Sequence, residues 1–234
     1  MRRGIVAIDG PAASGKSSTA RAVAERLGYA HLDSGALYRG VTWVAITEAA
    51  KRAPGREPLA ALAPAVILRA AEDRGLRLHP DGAGFTPYLD GRPAEAEVRS
   101  EAATALVSAV SAIPVVREWV NAHLRELTRA GVGVVVDGRD IGTVVFPDAD
   151  LKVFLTASPE ARARRRLLQR GEGVEPAALA RETEILARRD AADSSREVAP
   201  LRRPSDAVEL DTSDMGFAEQ VARIETLARE ALAE

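Results

Sequence analysis

The stretch that most limits what this chain can fold into is Gly10-Pro11-Ala12-Ala13-Ser14-Gly15-Lys16-Ser17. An apolar run, Ile5-Val6-Ala7-Ile8, precedes it, and a helical pattern from Thr19 to Leu27 follows. Strand, then G-x-x-x-x-G-K-S, then helix is the build of a phosphate-binding loop. Gly10 and Gly15 permit backbone dihedrals that a side chain forbids, so the loop can turn its N–H groups inward around phosphate oxygens. A helix starting near Ser17 adds the positive end of its dipole. Lys16 sets a point charge on the outer phosphates, and the Ser17 hydroxyl can ligate a divalent cation. Cation usage supports this reading. The chain has three lysines against 29 arginines, so a lysine at position 16 is a departure from its habit. A compact ammonium fits such a loop where a planar guanidinium does not.

The 234 residues are 46% hydrophobic with a net charge of −2, enough for one full domain with insertions or two small ones. Balanced charge argues against disorder and gives no electrostatic case for nucleic acid as a partner. With no cysteine there is no disulfide framework, thiolate metal site or cysteine nucleophile. No apolar run reaches the length of a membrane span. Met1-Arg2-Arg3 leads directly into a short apolar run that ends at Asp9, which does not read as a signal peptide. The expectation is a cytoplasmic protein with no membrane partner, and a monomer, since no long apolar stripe demands a second copy.

Five core strands are expected, at 4–9, 30–32, 133–137, 151–155 and 207–211, interleaved with helices. That alternation predicts an α/β fold with a parallel sheet in a three-layer arrangement. After the second strand, Asp33 or Ser34 can cap a helix running to about Ala50, with Arg39 one turn in and able to hold a second phosphate. Leu59–Arg74 reads as one helix closed by Gly75. Leu76–Leu89 alternates around a turn at Pro80–Gly84, a small antiparallel hairpin inserted in the α/β pattern. Glu97–Ala112 and a segment from Pro114 to about Gly131 read as further helices, with Ser108 and Arg117 near their junction. His79 and His123 have no evident catalytic partner.

Gly133-Val134-Val135-Val136-Asp137 is a β-branched strand ending in a carboxylate. An Asp at the carboxyl end of a strand neighbouring the loop acts on Mg²⁺, usually through water. Gly138-Arg139-Asp140-Ile141-Gly142-Thr143 leaves the strand at the sheet edge where open α/β sheets bind ligands. Ser158 and Pro159 start an arginine-rich helix carrying Arg162, Arg164, Arg165, Arg166 and Arg170, and a second charged helix spans about Pro176–Asp190. Together they suggest a mobile cover that brings cations to a transferring phosphoryl group. Ser213 or Asp214 should cap a C-terminal amphipathic helix.

No Asn-Lys-x-Asp occurs, which counts against a guanine-specific switch protein, and Asp137 is followed by Gly rather than the Glu of a mechanochemical ATPase. Arginines spread over one sheet edge suit a small kinase, which holds two phosphorylated groups nose to nose. Other acceptors (UMP, AMP or shikimate), a nucleotide-gated ATPase and an inactive scaffold stay open at this point.

The chain also resembles the bacterial cytidylate kinases over essentially its whole length. The resemblance rests on Ile8 through Ser17, on Leu32-Asp33-Ser34-Gly35-Ala36-Leu37-Tyr38-Arg39, on Asp137 through Pro147, and on Arg196-Glu197-Val198-Ala199-Pro200-Leu201. It implies transfer of the γ-phosphoryl of ATP to CMP or dCMP with Mg²⁺, giving CDP or dCDP in pyrimidine nucleotide metabolism. It implies a single kinase domain: a core of about 1–34, 128–156 and 199–234, a monophosphate-binding part of about 35–127 that contains the hairpin, and a helical lid of about 157–192. Gly10, Pro11, Ala12, Ala13, Ser14, Gly15, Lys16, Ser17 and Ser18 would bind ATP, with Ser17 and Asp137 on the metal. Ser34, Arg39 and Arg139 would hold the acceptor nucleotide, Ser108, Arg117 and Asp140 would read the cytosine edge, and Asp193 would meet the sugar. Lys16, Arg139, Arg189 and Arg196 would be the catalytic cations.

Overall fold

The computed structural model describes residues 4–82, 84–129 and 131–233. Met1-Arg2-Arg3 and the Ala83 position of the expected hairpin turn lie outside them. In chain order the elements are β1 (Ile5–Asp9), α1 (Lys16–Leu27), β2 (Ala30–Asp33), α2 (Ser34–Arg52), α3 (Pro58–Ala61), α4 (Pro64–Asp73), β3 (Arg77–Asp81), β4 (Gly84–Leu89), β5 (Arg92–Pro93), α5 (Glu95–Val98), α6 (Glu101–Ser111) and α7 (Pro114–Thr128). They continue with β6 (Val134–Gly138), a π-helical turn (Ile141–Val145), β7 (Leu151–Thr156), α8 (Pro159–Gln169), α9 (Pro176–Ser194), β8 (Val208–Asp211) and α10 (Phe217–Ala231). No single helix among the described residues is long and apolar enough to cross a membrane. The chain divides into two compact units, Met1–Leu32 with Gly131–Glu234, and Asp33–Ala130.

The first unit is built on a sheet in the order β2-β6-β1-β7-β8. β1 runs parallel to β6, with Ile8 opposite Asp137 and Asp9 opposite Gly138, and parallel to β7; β7 runs parallel to β8. All five expected core strands are present, and the fold is α/β with a largely parallel sheet, as the alternation predicted. β1 and β6 are buried almost throughout, which is why they read as continuous apolar runs rather than alternating ones. One face packs Val6, Ile8, Val135, Val153 and Leu155 against Val23 and Leu27 of α1 and Val221 and Ile224 of α10. Parallel β1 and β6 end side by side, so the loops after Asp9 and Gly138 leave the sheet at the same edge.

The second unit centres on α2, whose buried Leu37, Val41 and Val44 lie within a helical core completed by Ile67, Val107, Val116, Val120 and Leu124. Gly40 has a steric reason: a Cβ there would lie 2.5 Å from Leu76 Cδ1. β3 and β4 pair antiparallel from Arg77 opposite Tyr88 to Asp81 opposite Gly84, so the expected hairpin is there.

Several local expectations need correction. Asp33 occupies the N-cap position of α2, but its side chain makes no capping bond; Arg99 Nη2 reaches its Oδ2 at 3.2 Å instead. The single helix expected at 59–74 is broken into α3 and α4. Pro64 removes an N–H and pushes Ala63 into extended backbone, so α4 restarts with Pro64 in its first turn. The helix expected at 97–112 is likewise split into α5 and α6. Ser100 interrupts it, accepting from Ala103 N–H to cap the second piece. Neither Ser213 nor Asp214 caps α10, which starts after Gly216. The Ser213 hydroxyl is taken by Asp211, to which it donates at 2.6 Å, and by the N–H of Ser158, which donates to it at 2.8 Å. Ser158 does cap α8, with Pro159 in the first turn, as expected.

Candidate active site

Gly10 leaves β1 at φ +156°, where a Cβ would sit 2.2 Å from the carbonyl oxygen of Leu155 on β7. No other residue fits so close to that strand. Gly15, at φ +89°, is the N-cap of α1, and no side chain caps this helix among the described residues. The first N–H groups of α1 are therefore left for an anion, the arrangement a phosphate needs. The apolar side of the loop rests on the two charged helices, with Ala12 packed against Ala163 of α8 and Leu186 of α9.

Lys16 is buried and its ammonium donates to the carbonyl of Pro11 at 3.0 Å. Burial, and then the neighbouring Arg139 and Arg189, push its pKa down to about 7, against the pull of Asp137 and Asp193. Four of the expected site residues thus act electrostatically on Lys16. A negative charge brought to this cluster would favour the ammonium form.

Asp137, at the end of β6, brings the two expected metal-binding oxygens together: Ser17 Oγ donates to its Oδ2 at 2.5 Å. Its other oxygen, Oδ1, lies 2.8 Å from His31 Nε2 on β2. Burial alone would raise the Asp137 pKa. The His31 hydrogen bond, the positive charge nearby and the Ser17 donor outweigh it and keep the carboxyl below its ordinary range. An ionised carboxylate only accepts, so Nε2 carries the proton in this pair.

Asp9 organises the segment after Asp137. Its carboxylate accepts the N–H of Ile141 at 2.9 Å and of Gly142 at 2.8 Å, across from β1 to the π-helical turn. That turn hangs on the Asp140 carbonyl, which accepts from Val144 and Val145. Arg139 and Asp140 are thereby fixed just before it. Single π turns of this kind recur at functional sites. Arg139 Nε donates to Asp193 Oδ2 on α9 at 2.9 Å. Arg139 and then Arg196 and Arg189 draw the Asp193 pKa below its ordinary value although burial opposes them. Arg196 also donates to the Ala199 carbonyl at 2.8 Å.

The arginines of α8 have partners within the protein. Arg162 is buried and donates to the carbonyl of Ala12 at 3.0 Å and to Asp190. Asp190 in turn accepts the Ala12 N–H at 2.9 Å. Both polar groups of Ala12 are thus held by one Arg–Asp pair spanning α8 and α9. Arg165 donates to Thr212, Arg166 to Gln169, and Arg170 to Glu172 and Glu182, while Arg164 lies 3.8 Å from Glu160. Each of these arginines thus has a protein partner.

In the second unit, Arg39 donates to Thr104 Oγ1 at 3.0 Å. Ser34 is buried at the start of α2. Arg117 is also buried, donating to the Ser111 carbonyl at 2.9 Å and standing 5.3 Å from the centre of the Tyr38 ring. The Ser111 hydroxyl donates to the Ser108 carbonyl at 3.0 Å, so Ser108 and Arg117 share one small network.

No sequence motif gives His31, Asp9 or Asp190 a role of its own in the site, and Arg162 stands in the sequence only as one of a run. His31 had one available signal, a lone polar ring in the otherwise apolar pair Ala30 and Leu32. The other three sit in ordinary sequence, and the backbone groups they hold, at Ile141 and Ala12, are more than 130 residues away in the chain.

The cytidylate kinase family model matches residues 6–230. The cytidylate kinase of Streptomyces griseus is 46% identical over 224 residues, 95% of this chain and 91% of that protein. The cytidylate kinase of Geobacillus kaustophilus is 44% identical over 229 residues, 98% of each chain. A solved structure, TT1252 from Thermus thermophilus, is more distantly similar, 19% identical over 98% of each chain with a TM-score of 0.47. The loop, its strand-end aspartate and the arginine-bearing segment behind it fall inside a family match that leaves out only the chain's ends, and so the chain belongs to the cytidylate kinase family and is a kinase, a phosphotransferase.

Proposed function

We propose that the enzyme phosphorylates CMP and dCMP with ATP, giving CDP and dCDP, and serves pyrimidine nucleotide metabolism. The observation that carries this reading is the mutual arrangement of Lys16, Arg139, Arg189 and Asp193 beside the bare N-terminus of α1, in a chain of this family. In this reading Gly10 to Ser18 wrap the ATP phosphates. Arg139 leaves Asp193 in part to take the acceptor phosphate, while Arg189 and Arg196 neutralise the chain of phosphates between donor and acceptor. Asp193 then meets the sugar hydroxyls. Ser34 and Arg39 hold the acceptor, and Ser108, Arg117 and Asp140 read its base. Asp140 can accept from the exocyclic amine of cytosine, a donor that uracil lacks.

No protein base is required. The acceptor phosphate oxygen is already an anion; it bonds to the γ-phosphorus as the bond from γ-phosphorus to the bridging oxygen breaks, and ADP leaves. The chain contributes alignment and charge neutralisation. Ser17 and Asp137 fit a magnesium ion. They are hard oxygen donors in direct contact, and no group of three or more His, Cys, Asp or Glu among the described residues could hold a metal by itself. That suits an ion which keeps waters and takes further ligands from nucleotide phosphates. When bound, Mg²⁺ supplies positive charge to those phosphates. Residues 157–192 act as the lid, and the enzyme works as a cytoplasmic monomer on small molecules, with neither nucleic acid nor membrane as a partner.

The test is ADP formation from ATP and Mg²⁺ with CMP, dCMP, UMP, AMP or shikimate, and with no acceptor. Turnover confined to CMP and dCMP is the expected result. Preference for another acceptor would overturn the base-reading roles, and acceptor-independent hydrolysis would overturn the kinase mechanism.

A further inference from the structure

Among the described residues His31 is the one histidine whose ring touches the site, and phosphoryl transfer as derived above gives it nothing to do. It lies on β2, beside β6 in the sheet, with its side chain 8% exposed against 3% for that of Asp137. Burying an imidazole on an apolar strand costs free energy unless its nitrogens are satisfied. A leucine would pack there at no such cost. Asp137 explains the choice. A carboxylate at a strand end turns easily about its last torsion, which is broad and two-fold. Two donors remove that freedom here: Nε2–H of His31 on Oδ1 at 2.8 Å, and the Ser17 hydroxyl on Oδ2 at 2.5 Å. The imidazole is the rigid one of the two, since it is planar and enclosed. The serine hydroxyl must give up its hydrogen bond if its oxygen is to ligate a cation, and the histidine need not.

We infer that His31 is a positioning residue for the divalent cation: its bond to Oδ1 holds the Asp137 carboxylate with Oδ2 facing Ser17 whether or not the serine bond is made. The inference rests on the reading of Ser17 and Asp137 as the metal-binding oxygens. It assigns His31 no contact with substrate and no proton transfer. Its effect falls on cation affinity, and through affinity on rate.

The probe is Mn²⁺, with free ion counted by electron paramagnetic resonance in the presence of the full chain and ADP. His31→Leu removes the donor. Groups that orient a ligand in this way are worth about 10–100-fold in metal affinity, so Mn²⁺ should bind at least about tenfold more weakly. Metal-free ADP affinity, measured in EDTA, should stay within about twofold, because the loop N–H groups and Lys16 are untouched. In the kinase assay the Mg²⁺ concentration for half-maximal rate should rise by a similar factor, with kcat at saturating Mg²⁺ within about threefold. His31→Gln, whose amide can donate to Oδ1, should recover most of the lost affinity. Asp137→Asn is the control. If it leaves Mn²⁺ affinity unchanged, the metal reading fails and takes this inference with it. If Asp137→Asn weakens Mn²⁺ but His31→Leu does not, only the role of His31 is overturned. A glutamine variant as weak as the leucine one also overturns it, since the hydrogen bond is then not the cause. Should His31→Leu fail to fold, His31→Phe, an apolar ring of similar outline, is held to the same outcomes.

Discussion

Asp9→Asn separates what a buried carboxylate costs the fold from what it does for the site. Asp9 is 1% exposed and accepts two backbone N–H groups of the π-helical turn. Burial raises its pKa from the ordinary 3.8 to about 6; the two N–H donors oppose this, the Asp140 charge adds to it and Lys16 opposes it. The folded chain therefore holds this proton more tightly than the unfolded chain. Between pH 4 and 6 the native state carries the extra proton, so the Asp9 contribution to stability falls as pH rises through that window and is flat above it. On going from pH 7.5 to pH 5 this raises stability by about 1–2 kcal/mol. Asparagine does not titrate, so the stability difference between wild type and variant must change by that amount across the window.

The absolute difference near neutral pH is a contest. Removing the buried charge returns about 3 kcal/mol, the rise from 3.8 to about 6 converted to free energy. Against it, the amide accepts from one N–H and turns its own NH₂ toward the other, leaving buried polar groups unsatisfied at about 1–3 kcal/mol each. The two nearly cancel, so Asp9→Asn should stay within about 2 kcal/mol of wild type at pH 7.5. Activity has no such compensation. The turn fixes Arg139 and Asp140, and a displacement of about 1 Å there costs about 100-fold in rate. Urea unfolding of both proteins at pH 5, 6 and 7.5, with kcat at pH 7.5, checks both halves. Stability curves that stay parallel across the window, or wild-type turnover in the variant, would refute the reasoning.

Arg139→Ala should lower kcat at least about 100-fold, since the guanidinium is worth more to the transition state than to bound substrate; a near-normal rate sinks its catalytic role. Asp190→Ala releases the Ala12 N–H and strands the buried Arg162, so stability should drop by about 3 kcal/mol in urea unfolding and the KM for ATP should rise. Lys16, with its pKa pushed down to about 7, is mostly neutral at pH 8 until phosphates arrive, so ATP binding at pH 8 should be accompanied by net proton uptake, seen as a buffer-dependent enthalpy in calorimetry. The same shift makes the nucleotide-free chain gain stability as pH rises from 7 toward 10.5.

The parts of this enzyme that could be read from its sequence are those whose cause is local. β-branched runs announce β1 and β6 because a strand buried on both faces has no polar alternation to show. The loop is legible because its glycines answer to backbone geometry within a few residues, and Ser158-Pro159 because a cap acts across one turn. Even the break before α4 had its signal in Pro64, outweighed by apolar periodicity on either side. The contacts that hold the site in shape are of another kind. His31 and Asp137 are 106 residues apart, Asp9 and Ile141 132, and Ala12 and Asp190 178. Nothing in the local sequence of Asp190 distinguishes it from the other acids of α9, and nothing in that of Arg162 tells it from the rest of its run. Only the fold separates the guanidinium that pins Ala12 from those that pair with glutamates on α8 or α9. Residues 10–17 therefore carry the chemistry of phosphate binding without carrying its geometry. The same eight residues set between another strand and helix would keep the glycines, the lysine and the serine. They would lose the pair that holds Ala12, the carboxylate that anchors the Arg139 segment and the ring that steadies Asp137.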